Sequence, residues 1–339
     1  MISPHRRCTI LHILSNRKEN LGKCLLFNHK AEIFIIFVIE QMKSEQTTMK
    51  EYFFLLLSLI TMTAMSQENP VLLFPGGAPG ETEKLKQVDD LSGRRVAGCP
   101  VLRISNVSEP TLIFYPAPVD ANSGVTIIVN PGGGYNILAY NLEGSEICKR
   151  FNSHGVNCVL VKYRVPRREG LEKHAAPLQD LQRAIAYTRA HAAEWNIDAN
   201  KIGVMGFSAG AHLSAVASTN YAERSYPKVD AFDEVSLRPD FTILVYPAYL
   251  TGEHFGIAPE LHVDAETPPT ILIQTQDDKS HVDSSIFYYY ALKQANVPAA
   301  LHLYPSGGHG YGLRNTGHTV NEWPFRVISW LRDIGMMKE

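Results

Sequence analysis

A serine flanked by two glycines, in the Gly-Phe-Ser-Ala-Gly of residues 206–210, is the strongest chemical signal in this sequence. An apolar run at 202–205 precedes it and an alanine-rich stretch at 211–219 follows it. This order predicts a strand, a sharp turn and a helix. Glycine on either side would let the strand and helix approach without a side-chain clash. Such a turn exposes the hydroxyl at the end of the strand, so Ser208 is the candidate nucleophile.

A serine hydroxyl becomes an effective nucleophile only beside a general base that a third group orients. The strand-like run 270–275 ends near two carboxylates, and the run 300–304 leads into a glycine-rich loop that carries His309. Parallel strands of one sheet end at the same edge, so we expect these side chains to lie near the serine. His309 is the candidate base. Asp277 is the preferred acid because it lies nearer the strand end, and Asp278 is the alternative.

Backbone donors for a negatively charged intermediate are also predicted. The run 125–130 reads as a buried strand and opens into three consecutive glycines at 132–134. We expect the N–H groups of Gly133, Gly134 and Ala209 to form an oxyanion hole. The glycine spacing is neither G-x-G-x-x-G nor a P-loop, which disfavours a phosphate-binding loop. Serine chemistry of this kind requires no metal and no organic cofactor.

Further motifs follow one another along residues 70–335. They are Gly-Gly-Ala-Pro-Gly at 76–80, Pro-Gly-Gly-Gly-Tyr at 131–135, Glu-Gly at 143–144, Lys-Tyr-Arg at 162–164, Leu-Gln-Asp-Leu-Gln-Arg-Ala at 178–184, Arg-Pro-Asp-Phe at 238–241, Pro-Pro-Thr at 268–270, Asp-Asp at 277–278 and Gly-Gly-His-Gly at 307–310. With the serine motif, they resemble the bacterial acetyl xylan esterase group of the α/β-hydrolase superfamily. The resemblance implies an α/β-hydrolase fold and serine esterase chemistry at Ser208, Asp277 and His309.

The sequence departs from that family pattern in two places. Ala211 stands where relatives usually carry a further glycine, and its methyl group should tighten helix packing without removing a catalytic group. Ser280 and His281 stand in the acid loop where relatives often carry Val-Pro. The second departure leaves the choice of acid, Asp277 or Asp278, open.

The resemblance also implies a substrate class, namely short-chain carboxylic esters and in particular O-acetyl groups on plant polysaccharides or oligosaccharides. The alternatives are a general carboxylesterase or lipase-like hydrolase, a serine peptidase on the same fold, and a non-catalytic binding protein on a hydrolase scaffold. A net charge of −2 gives no electrostatic footprint for nucleic acid, so no nucleic-acid partner is expected.

The N-terminal residues predict export. Residues 49–66 combine a basic start, a short apolar core and small residues before position 67, which is the pattern of a secretory signal peptide. Residues 1–48 are interpreted as a misassigned N-terminal extension, with a membrane anchor as the alternative. Cleavage before Gln67 would leave residues 67–339 as a single α/β-hydrolase domain in the periplasm or secreted. No stable membrane insertion is then expected.

The remaining pattern predicts the architecture. Strands are predicted at 111–116, 125–130, 157–163, 201–206, 241–246, 270–275 and 299–304, and helices at 142–154, 177–194, 211–219, 283–295 and 324–334. This alternation indicates an α/β fold with a mostly parallel sheet covered by helices on both faces. Residues 220–240 and 247–268 are predicted to be loops that rim the pocket.

Overall fold

The computed structural model describes residues 69–338. Its strands are β1 (Val71–Leu72), β2 (Val88–Asp90), β3 (Arg103–Ser105), β4 (Thr111–Tyr115), β5 (Thr126–Asn130), β6 (Leu138–Ala139), β7 (Asn157–Lys162), β8 (Ile202–Phe207), β9 (Thr242–Val245), β10 (Thr270–Thr275) and β11 (Ala299–Tyr304). Its α-helices are α1 (Glu146–Asn152), α2 (Ala175–Ala190), α3 (Ala209–Thr219), α4 (Val282–Gln294) and α5 (Trp323–Asp333). The predicted extension at 1–48 and signal peptide at 49–66 lie outside the described residues.

Eight of these strands form one sheet in the order β1-β4-β7-β5-β8-β9-β10-β11. β4 pairs antiparallel with both β1 and β7, and every other pairing in this sheet is parallel. The strands β2, β3 and β6 form a separate antiparallel sheet. The predicted α/β class with a mostly parallel sheet is therefore confirmed.

Helices cover both faces of the large sheet, as predicted. Side chains along a strand alternate between the faces, so Ile128 of β5 packs in one core cluster while Ile127 and Val129 pack in the other. The first cluster receives α2, α3 and α4, and the second receives α1 and α5. Burial on both faces explains why the central strands read as continuous apolar runs.

The parallel strands fix the place of the chemistry. β8, β9, β10 and β11 are consecutive neighbours in the sheet, so the segments that follow them emerge at one edge. Ser208 follows β8, the two aspartates follow β10 and the loop of His309 follows β11. Within the described range, no helix is both long and apolar enough to cross a membrane.

Candidate active site

Ser208 occupies a strained turn between β8 and α3. Its backbone has φ 52° and ψ −118°, a conformation that a residue with a side chain rarely adopts. A β-carbon on Gly206 would lie 2.0 Å from the carbonyl oxygen of Gly210, and one on Gly210 would lie 2.1 Å from that of Asn130. The two glycines of the motif are therefore required by close backbone packing, and the turn holds the serine at the end of the strand.

The structure brings Ser208, His309 and Asp278 into one hydrogen-bonded row. The Ser208 Oγ to His309 Nε2 distance is 2.8 Å, and His309 Nδ1 lies 2.7 Å from Asp278 Oδ2. A carboxylate only accepts hydrogen bonds, so Nδ1 carries the proton and Nε2 accepts from the serine hydroxyl. Burial opposes ionisation of Asp278, yet hydrogen bonds from His281 and His309 hold its pKa well below the usual value. The row thus has a base aimed at the serine and a charged group behind that base.

The preference for Asp277 as the orienting acid is wrong. Its carboxylate instead accepts hydrogen bonds from the backbone N–H groups of Gly308, at 2.8 Å, and Gly307, at 3.1 Å. The slight burial of Asp277 opposes ionisation, but these hydrogen bonds keep the pKa of Asp277 below its usual value. Asp277 therefore fixes the loop that carries His309, while its neighbour Asp278 contacts the imidazole.

His281 shares the Asp278 carboxylate with His309. Its Nδ1 lies 3.3 Å from Asp278 Oδ1, and the two imidazole rings have centroids 4.7 Å apart. Both carboxylate oxygens are therefore occupied, which restricts rotation of the acid. Sequence reasoning did not assign His281 a role. The available signal was its place, one helical turn after Asp278, in a loop where the family pattern has no histidine.

The glycine loop that carries two of the predicted oxyanion donors packs against Ser208. Gly133 and Gly134 have φ angles of 138° and 64°, which suit glycine. Within residues 69–338, the N–H groups of Gly133, Gly134 and Ala209 donate to no protein acceptor. A β-carbon on the preceding Gly132 would lie 2.9 Å from the β-carbon of Ser208, so this loop packs directly against the serine. Backbone N–H groups without a protein acceptor, on a loop and a helix start that adjoin the serine, suit the predicted oxyanion hole.

Glu143 ties this glycine loop to the loop of His309. Its Oε2 accepts the Gly132 N–H at 2.7 Å, and its Oε1 accepts the Tyr246 hydroxyl at 2.9 Å. That hydroxyl in turn accepts the Gly312 N–H at 3.2 Å. Glu143 is buried, and burial raises its pKa even though both hydrogen bonds favour the carboxylate. The sequence carried Glu143 only as part of the Glu-Gly motif, because its partners are distant along the chain.

Gly132 offers a test of how tightly the loop must fit. A β-carbon there would lie 2.5 Å from the Phe207 carbonyl oxygen and 2.8 Å from Glu143 Oε2. Gly132→Ala should therefore displace the loop, lower kcat by roughly 10- to 100-fold and cost about 1–3 kcal/mol in unfolding free energy. Kinetics with 4-nitrophenyl acetate and thermal melting would measure both effects. Gly76→Ala is the matched control, because no atom of the described residues lies within 4 Å of where its β-carbon would stand. Equal effects in both variants would contradict the tight fit of the loop at Gly132.

A polar network lies behind the glycine loop of residues 132–134. The Tyr135 hydroxyl is 2.8 Å from His212 Nδ1, and His212 Nε2 is 3.0 Å from Glu260 Oε1. Burial lowers the pKa of His212, although Glu260 opposes the shift. The ring of Tyr249 is partly exposed and lies parallel to that of Tyr135, with centroids 6.4 Å apart. Tyr249 and Glu260 both belong to the 247–268 segment that the sequence predicts at the pocket rim.

The fold and the site together define an α/β-hydrolase with a serine nucleophile. The sequence model of the BD-FAE family matches residues 112–244. An acetylxylan esterase of Xylanibacter ruminicola is 30% identical over 242 residues, covering 64% of this chain and 47% of that protein. The endo-1,4-beta-xylanase B of Butyrivibrio fibrisolvens is 29% identical over 226 residues, covering 61% of this chain and 35% of that protein. This chain thus spans about half or less of the length of these two relatives.

A solved structure matches over nearly its whole length. The acetyl ester-xyloside bifunctional hydrolase of Caldicellulosiruptor lactoaceticus superposes with a TM-score of 0.64 and 30% identity, covering 80% of this chain and 98% of that one. A putative carboxylesterase of Lactobacillus plantarum is 27% identical with a TM-score of 0.54. This chain belongs to the α/β-hydrolase superfamily of serine esterases, and within it resembles the acetyl xylan esterases.

Proposed function

We propose that this protein is an exported serine esterase that removes O-acetyl groups from plant polysaccharides or oligosaccharides. The observation that carries the proposal is the row from Ser208 Oγ through His309 to Asp278, with distances of 2.8 and 2.7 Å, beside the unpaired backbone donors. This arrangement suits acyl transfer because it supplies a nucleophile, a base and charge stabilisation at one point.

In the proposed reaction, Ser208 Oγ attacks the ester carbonyl carbon while His309 Nε2 takes the hydroxyl proton. The carbonyl oxygen becomes negatively charged and is held by the N–H groups of Gly133, Gly134 and Ala209. Asp278 stabilises the imidazolium that forms. Collapse of the intermediate breaks the bond to the sugar oxygen, which leaves with the proton from Nε2, and an acetyl-serine remains.

Water completes the cycle by the same route. His309 Nε2 removes a proton from water as the water oxygen attacks the acetyl carbonyl, and the oxyanion forms again in the same hole. The Ser208 oxygen then leaves and recovers the proton from Nε2, which releases acetate. All steps use side chains and backbone donors of this chain.

Two observations support an acetyl ester of a carbohydrate as the substrate. One similar protein is an acetylxylan esterase, and one similar solved structure is an acetyl ester-xyloside bifunctional hydrolase. In the structure, the hydroxyl of Tyr249 lies 3.8 Å from where a β-carbon on Gly134 would stand, so the end of this side chain reaches the glycine loop. An aromatic ring at this rim offers a flat apolar face to a sugar beside a small acyl group.

Acetate release tests the proposal. The protein should release acetate from acetylated xylan and hydrolyse 4-nitrophenyl acetate faster than the butyrate, with both activities lost in Ser208→Ala. Turnover of the nitrophenyl esters alone would make it a general carboxylesterase, and cleavage of an N-acetylated peptide alone would make it a peptidase. A folded protein that turns over none of these substrates and fails to react with a fluorophosphonate would be a binding protein.

Export rests on the sequence of residues 49–66 and has a separate test. N-terminal sequencing of the protein purified from its native source should begin at Gln67. Native protein that retains residues 1–48 would refute both the signal peptide and the misassigned start.

A further inference from the structure

Two histidines and a glutamate converge behind the glycine loop of residues 132–134. They are separate from the catalytic row, which is formed by Ser208, His309 and Asp278. His174 directly precedes α2, His212 lies in the first turn of α3, and Glu260 lies in the segment between β9 and β10. One nitrogen of each imidazole and one carboxylate oxygen all lie within 4.8 Å of one another. The planes of the two imidazole rings make an angle of 62°, and the ring centroids are 5.6 Å apart. Three separate segments thus supply donors to one point.

One of these donors is buried without a partner. His174 Nδ1 makes no hydrogen bond within the described part of the chain, although the atom is inaccessible to solvent. Buried polar atoms are nearly always satisfied, so a buried unpaired nitrogen on a ring of this cluster is a group that a bound ligand would satisfy. His212 is arranged differently, because its Nδ1 already contacts the Tyr135 hydroxyl at 2.8 Å. A second contact of this kind is typical of a histidine whose other nitrogen binds a metal.

We infer that His174 Nδ1, His212 Nε2 and the Glu260 carboxylate bind a divalent transition cation of the zinc type. Two imidazoles and a carboxylate are a usual donor set for Zn²⁺, and water would complete a tetrahedral site. Tetrahedral donors about 2 Å from zinc are roughly 3.3 Å apart. His212 Nε2 and Glu260 Oε1 are already 3.0 Å apart, so mainly the His174 ring has to move inward.

Lys173 occupies the position of a competing cation. Its Nζ lies 3.4 Å from Glu260 Oε1, where it forms an ion pair, and 5.1 Å from the centroid of the Tyr249 ring. The side chain is partly exposed, so the ammonium can leave the carboxylate for the aromatic ring or for water. The cation and Lys173 therefore compete for the same charge, and removing the lysine should strengthen metal binding.

The site would act on the oxyanion loop through one hydrogen bond. A cation on His212 Nε2 fixes the proton on Nδ1, which then donates to the Tyr135 oxygen. Tyr135 directly follows Gly134, so the cation would stiffen the loop that holds the proposed oxyanion donors. The second cluster of metal donors in the described residues, formed by Asp278, His281 and His309, includes the proposed base and is assigned to the catalytic row.

Zinc titration of the full chain tests this inference without measuring turnover. After dialysis against EDTA and then buffer, calorimetry with zinc chloride should show one tight site per chain and a raised melting temperature. His174→Gln and Glu260→Gln should each weaken zinc binding at least tenfold, whereas Lys173→Ala should strengthen it. His154→Gln is the matched control, since His154 also has a buried unpaired nitrogen but belongs to neither donor cluster in the described residues.

Other results would contradict the proposed zinc site. Absence of a stoichiometric zinc site, or a site that persists unchanged in both His174→Gln and Glu260→Gln, would overturn the inference. Loss of the zinc site in His281→Ala with retention in His174→Gln would place the metal at the catalytic row instead. Lys173→Ala keeps the test decisive if a ligand variant fails to fold. Because binding is read directly, a negative zinc result leaves the proposed esterase function untouched.

Discussion

Ser208→Ala should reduce kcat for ester hydrolysis by about 10⁵- to 10⁶-fold while the protein remains folded. In the proposed reaction the Ser208 oxygen forms the acyl-enzyme, so no neighbouring group can replace it. Within residues 69–338, the only hydrogen bond of Ser208 Oγ is to His309, and the side chain does not cap α3. The melting temperature should therefore change by no more than a few degrees. Steady-state kinetics measure kcat, fluorophosphonate labelling followed by intact mass measures the reactivity of the serine, and thermal melting measures stability.

The control for this variant is Ser153→Ala, which removes an exposed hydroxyl whose hydrogen bond is to the Arg150 carbonyl oxygen. It should keep full activity and full labelling. Near-full turnover by folded Ser208→Ala would refute the nucleophile, whatever the substrate.

Asp278→Asn should lower kcat by about 10⁴-fold, whereas Asp277→Asn should lower it by less than about tenfold. An amide at 278 would donate to His309 Nδ1 and place the proton on Nε2, which then cannot accept from Ser208. An amide oxygen at 277 still accepts one of its two backbone N–H groups, and a lost hydrogen bond of this type is worth about 0.5–1.5 kcal/mol. The pair is matched, since the same substitution is made at adjacent positions.

Kinetics of both variants with 4-nitrophenyl acetate would separate the two carboxylates. Melting curves are needed beside them, because Asp277 holds the glycine loop and its loss should lower stability. The reverse ranking, with Asp277→Asn the more damaged in kcat, would restore the acid that the sequence favoured and would contradict the row seen in the structure.

The pattern of the sequence was sufficient for seven strands of the large sheet and for the five α-helices, but not for β1, for the small sheet of β2, β3 and β6, or for every side chain. The strands and the turn at Ser208 were marked by local features, namely apolar runs and the glycines on either side of the serine, although Gly210 also packs against Asn130 from a distant part of the chain. The choice between Asp277 and Asp278 depends on how the chain turns after β10, and that turn is fixed by contacts with the loop after β11. The number of residues between each aspartate and the end of β10 could not show which of the two contacts the imidazole.

Longer-range contacts were harder still to predict. The hydrogen bond between Glu143 and Tyr246 joins residues that are 103 positions apart, and that between Tyr135 and His212 joins residues that are 77 positions apart. Nothing in the spacing of these residues marks them as partners, because each pair forms only when the sheet assembles. A buried carboxylate beside a glycine motif was the available sign for Glu143.

The edge position of β11 has a further consequence for the loss of activity on heating. β11 is the last strand of the sheet and none of its residues is fully buried, whereas β5 and β8 have neighbours on both sides and are buried throughout. Segments at an edge open at lower free energy than central ones. Rising temperature should therefore open β11 and displace His309 while Ser208 stays in place. Activity would then be lost through local opening at this edge of the sheet, before global unfolding.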